Sequence, residues 1–110
     1  MVLHDPSRTE IDVAELERLL AAGQVNLVDV REPWEYQRGH VAGARLIPVN
    51  QVPLRLGELP ADKPLAIICE HGNRSLVATH FLRVKGHPDA VSVAGGTAAW
   101  IRSGRAAVKE

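Results

Sequence analysis

Cys69 is the chain's single thiol, and it closes an apolar run just ahead of Glu70, His71, Gly72, Asn73, Arg74 and Ser75. That placement suits a nucleophile. A thiolate is the attacking form of cysteine, and the N–H groups of a short Gly-containing loop and of a helix's first turn point at whatever anion sits among them. A nearby guanidinium, here Arg74, favours the thiolate and offers planar donors to an oxyanion. The inert alternative is a core filler, since free cysteine is among the most buried residue types. A filler calls for none of Gly72, Asn73, Arg74 and Ser75 in succession, so the reactive reading is favoured. Ser75 is read both as part of that cup and as the N-cap of the helix that follows.

Other chemistries find less support. Cys69, Glu70 and His71 do not complete a metal site, and His4, His40, His80 and His87 lack finger-like spacing, so no metal is expected. The stretch "GGTAAW" lacks a Walker lysine and reads as a strand-to-helix turn with Trp100 packed in the core. Nothing demands a cofactor.

The elements that must position these residues follow from spacing. Asp12 and Glu15 form a capping-box pattern; Val13, Leu16, Leu19 and Leu20 recur at helical intervals, and Gly23 stops a helix over about 13–22. "VNLVDV" (25–30) reads as a buried strand, and Pro33 opens a short helix "PWEYQR" that Gly39 ends. Between Gly43 and Pro64 the sequence leaves room for a short strand near 44–47 and a helical turn or two before Pro60. "PLAIIC" (64–69) is the clearest strand. A helix follows over 75–84, with Leu76, Val77, His80, Phe81 and Val84 on one stripe, and "AVSVA" (90–94) is a further strand. Gly95-Gly96 is a tight turn, and a last helix over 97–104 is capped by Thr97 and stopped by Gly104. Strands alternating with helices imply an α/β domain with a mostly parallel sheet. In such a sheet ligands bind beyond the carboxyl ends of the strands, where Cys69 stands.

The bulk numbers agree with a small intracellular domain. A chain of 110 residues, 45% hydrophobic, is read as one domain over 1–110 with its core at about 9–104. Thirteen Lys and Arg balance thirteen Asp and Glu, which excludes the basic field of a non-specific nucleic-acid or anionic-membrane binder. No apolar run approaches a membrane span, and "MVLHDPSRTE" lacks a secretory signal's basic start and apolar stretch. A cytoplasmic location is expected, and one cysteine cannot form an internal disulfide.

Three stretches in order, "LVDVREPWEYQRGHVAGARLIP" (27–48), "CEHGNRS" (69–75) and "VAGGTAAWIRSG" (93–104), resemble the single-domain rhodanese proteins and span most of the chain. The resemblance implies a five-stranded parallel sheet flanked by helices on both faces. It also implies a sulfurtransferase. Cys69 would take a sulfane sulfur from a donor such as thiosulfate, hold it as a persulfide facing the amides of residues 70 to 75, and pass it to a thiophilic acceptor. That acceptor is cyanide, a small thiol, or a thioredoxin-like or other protein thiol. Asp29, Arg31, Glu35 and His40 match the family's charged signature, whose side chains mostly pair with one another and tie the sheet edge to the active loop. Gly39 and Gly43 look like backbone requirements, and Trp34 either rims the pocket or covers the core.

Three alternatives stay open. Cysteine-dependent phosphatases and arsenate reductases share the Cys-loop-Arg pattern, but they place five residues between Cys and Arg where this chain has four, which suits a smaller ligand. An interaction module is a second alternative, which Cys69 argues against. The third is a persulfide carrier for a protein partner, with little activity on free thiosulfate, because Glu35 and Glu70 oppose a dianion.

Overall fold

The computed structural model describes residues 7–109; His4 and most of the opening segment read for a signal lie outside them. In chain order the elements are β1 (Glu10–Ile11), α1 (Val13–Ala21), β2 (Asn26–Asp29), α2 (Pro33–Arg38) and β3 (Arg45–Leu46), then 3-10 turns at Val49–Leu54 and Leu56–Glu58. β4 (Leu65–Ile68), α3 (Asn73–Val84), β5 (Val91–Val93) and α4 (Gly96–Arg102) complete the domain. The strands form one sheet in the order β1-β5-β4-β2-β3, with every registered pair parallel. β1 escapes sequence reading because it is two residues long and half of it is Glu10.

Side chains alternate across the sheet and bury on both faces. Leu27, Ala66, Ile68, Val91 and Val93 pack under α1, α4 and Tyr36 of α2; Val28, Val30, Leu65, Ile67 and Cys69 pack under α3 and the 3-10 turns. This double burial explains why β2 and β4 read as continuous apolar runs. Beyond α4 the chain returns to α2. Val108 and His40 exchange backbone hydrogen bonds of 2.8 Å each, and Trp100 Nε1 donates to Ala106 O at 2.8 Å.

Helix starts differ from expectation in instructive ways. Asp12 Oδ1 accepts from Glu15 N at 2.8 Å, but the Glu15 carboxylate pairs with Arg8 at 2.7 Å, so the box closes on one side only. α3 begins at Asn73 with Gly72 as its cap, which puts Ser75 inside the first turn rather than at the N-cap. Its buried face is Ser75, Ala78, Thr79 and Leu82, while Val77 is 68% and Val84 80% exposed. The face is chosen by where Ser75 must sit against the β4 end, and small side chains let the helix lie close to the sheet. α4 begins at Gly96 with Gly95 as its cap, so Thr97 lies within it. Its first free amides have other acceptors. Thr97 N–H donates to Cys69 O at 2.8 Å and Ala98 N–H to Glu70 O at 3.0 Å, and no side-chain cap is needed.

Candidate active site

The β2–β4 register pairs Asp29 with Ile68, so continuing each strand by two residues brings Arg31 opposite Glu70. Arg31 Nη1 donates to Glu70 Oε1 at 3.0 Å. Its other nitrogens serve Asp29 (Nε to Oδ1 at 3.0 Å, Nη2 to Oδ2 at 2.9 Å) and Gly39 O (2.9 Å). Asp29 and Arg31 are both buried. Burial lowers the Arg31 pKa, but its pairing with Asp29 and Glu70 outweighs that and holds it above the usual value.

Cys69 leaves the end of β4, and its sulfur, 1% exposed as a residue, enters the turn before α3. Sγ accepts from Gly72 N at 3.1 Å and Ser75 N at 3.3 Å. These are the amides of the cap residue and of the third helical residue. The sulfur therefore occupies the place a capping oxygen takes at other helices, which Gly72, lacking a side chain, cannot fill. The Cys69 thiol also meets Ser75 Oγ at 3.3 Å, and Ser75 Oγ meets Ser92 Oγ of β5 at 2.7 Å, all buried. When the sulfur ionises, the Ser75 hydroxyl can turn to donate to it with Ser92 donating behind.

Two glycines permit this arrangement. Gly72 has φ 102°, and a Cβ on it would stand 3.2 Å from Gly95 N. A Cβ on Gly96 would fall 2.5 Å from Cys69 O and 2.6 Å from Glu70 O, closer than real contacts allow. The close approach is what lets α4 amides hold the loop carbonyls, leaving the loop amides turned to the sulfur.

The hydrogen bonds of the Arg74 guanidinium go to Glu35, while the Cys69 sulfur acts on it through charge alone. Nη1 and Nη2 donate to Glu35 Oε1 and Oε2 at 2.7 and 2.9 Å, tying α2 to α3. Hydrogen bonding from Arg74 is the largest effect holding the Glu35 pKa down to about 2; the Glu32 amide helps, donating to Glu35 Oε1 at 2.9 Å. The Arg74 pKa is raised, chiefly by the Glu35 hydrogen bonds. His71 and Asn73 are exposed. His40 is buried and stacks on Tyr36 at 3.6 Å, with Nδ1 2.9 Å from Tyr36 O, so it braces the α2 corner rather than joining the ion pairs around the loop.

Beside the loop lies a cleft of about 290 Å³ lined by Arg31, Trp34, Glu35, Arg38, Gly39, Glu70, Thr97 and Ile101. Trp34 is 59% and Ile101 50% exposed, so Trp34 rims the cleft rather than covering the core. The Arg38 guanidinium lies 5.8 Å from the Trp34 ring centroid. Thr97 Oγ1 is the buried side-chain oxygen without a partner among the described residues. Sequence reasoning did not single out Ser92 or Arg38, and it gave Gly96 and Thr97 only the roles of turn and helix cap. The signals were slight: one polar residue within "AVSVA" and a second glycine where one suffices for a turn.

Comparison with known proteins follows the same lines. The model of the rhodanese-like domain matches residues 12–103. A sulfurtransferase of Allochromatium vinosum is 36% identical over 96 residues, 86% of this chain and 90% of that protein. A thiosulfate sulfurtransferase of Pseudoalteromonas translucida is 33% identical over 90 residues, covering 82% and 86%. Among solved structures, a rhodanese-related protein of Thermoplasma volcanium superposes with a TM-score of 0.86 at 37% identity, covering 93% of this chain and 99% of that one.

Proposed function

Because the chain belongs to the rhodanese-like domain family, we propose that it is a sulfurtransferase that carries sulfane sulfur as a persulfide on Cys69. One observation carries the reading. Two backbone N–H groups and a serine hydroxyl converge on a single sulfur at the end of the central strand. In the first step the Cys69 thiolate attacks the outer sulfur of a donor, the donor's sulfur–sulfur bond breaks, and the leaving group departs with the electron pair. The donor amides then stabilise the charge on the persulfide. In the second step a small thiol, a thioredoxin-like or other protein thiol, or cyanide attacks the outer sulfur and regenerates the Cys69 thiolate. No general base is required, because both nucleophiles act as anions. Glu70, His71, Asn73 and Arg74 are the loop residues offered to the donor, with Gly72 and Ser75 supplying the sulfur's hydrogen bonds. A reducing cytoplasm keeps such a lone thiol available.

Phosphoryl transfer fits less well. That chemistry needs a guanidinium aimed at the equatorial oxygens, whereas Arg74 gives both terminal nitrogens to Glu35. The test is intact mass after incubation with thiosulfate and with an organic persulfide. A gain of roughly 32 Da, one sulfur, reversed by dithiothreitol or cyanide and absent in Cys69→Ser, is expected. Failure of every donor to add sulfur to the folded protein would overturn the assignment.

A further inference from the structure

Building on sulfur transfer through Cys69, we propose that the donor is a small organic persulfide, R–S–SH, and that Glu70 and Glu35 set this choice by opposing dianionic donors such as thiosulfate. The charges around the loop carry the argument. Arg31 is matched by Asp29 and Glu70, and Arg74 by Glu35, so two guanidiniums face three carboxylates. Arg38, across the cleft on Trp34, brings the set only to neutrality. Attack of a thiolate on thiosulfate gathers three negative charges, and the two guanidiniums beside the loop, Arg31 and Arg74, are already held by carboxylates. A persulfide asks less of the site: in Cys69–S⁻ + R–S–SH → Cys69–S–SH + R–S⁻ a single negative charge moves from one sulfur to another, with no net oxidation.

The cleft provides for the R group. It opens along Glu70 and Thr97, the latter bonded through its N–H to Cys69 O, and its exposed rim is apolar through Trp34 and Ile101. Its volume of about 290 Å³ holds a small organic group. Thiosulfate, with no carbon, leaves that rim unused.

The experiment compares the second-order rates at which 2-hydroxyethyl persulfide and thiosulfate load sulfur onto Cys69, read by quenched-flow intact mass. In the wild type the persulfide is expected to load at least ~10-fold faster. Glu70→Gln removes one negative charge without changing shape, and the ratio of the two rates should fall roughly 10-fold. A purely structural role for Glu70 would slow both donors together and leave the ratio alone. Glu35→Gln provides the same test from the α2 side should Glu70→Gln fail to fold. Equal or faster loading from thiosulfate in the wild type, or a ratio unmoved by both variants, overturns donor selection while leaving sulfur transfer standing. Loading from neither donor removes sulfur transfer itself, and the donor proposal with it.

Discussion

Ser75 meets the sulfur through its N–H and its hydroxyl, and Glu35 holds both terminal nitrogens of the neighbouring Arg74. Their chemistry at this scale depends on partners far away in sequence. Cys69, Arg74 and Ser75 were legible as a group because they are adjacent, and the amide cup follows from a loop entering a helix. The Glu35–Arg74 pair spans 39 residues and Ser75–Ser92 spans 17, so the local pattern could not say which carboxylate takes the guanidinium or which hydroxyl backs the serine. The ion pair has a pH consequence. Glu35 titrates near 2 when folded against an ordinary value of 4.5, so its contribution to stability is complete above pH 4.5 and is lost as pH falls toward 2. Urea midpoints measured from pH 5 to pH 2 should therefore fall for the wild type, and Glu35→Gln should show a shallower decline. Parallel declines would mean that the pair adds nothing.

At the scale of elements, α3 shows where pattern reading succeeds and where it fails. Its existence and end were legible, but its inward face was assigned to the larger apolar residues. The helix instead turns Ser75, Ala78, Thr79 and Leu82 inward, because its first turn is fixed by the sulfur beneath it. Leu82, fully buried, is the large aliphatic side chain on that face. Leu82→Ala should cost about 2–5 kcal/mol in chemical denaturation, whereas Val84→Lys should change stability by no more than about 0.5 kcal/mol. The reverse order would restore the face that spacing suggested. α4 teaches a related lesson: Thr97 has the type of an N-cap, yet the loop carbonyls take its helix's free amides and the cap position passes to Gly95.

For the whole molecule, the alternation of strands and helices made the α/β class readable, and family resemblance supplied the five-strand count. Strand order was not readable, since periodicity says that a segment is buried on both faces and not which strand lies beside it. Nor did the sequence reveal that residues 105–108 return to the domain, where Val108 pairs with His40 and Ala106 O receives the Trp100 indole. Deleting residues 105–110 should lower Tm and shift Trp100 emission to the red, as an indole that is 7% exposed loses its cover; an unchanged Tm and spectrum would make this tail a passive appendage. The order β1-β5-β4-β2-β3 also sets β4 in the middle, paired on both sides, and the reactive sulfur hangs from its end. Such a strand opens only with the domain as a whole. Fraying at either sheet edge therefore leaves the thiol in place, and the cup around it persists through local opening of β1 or β3.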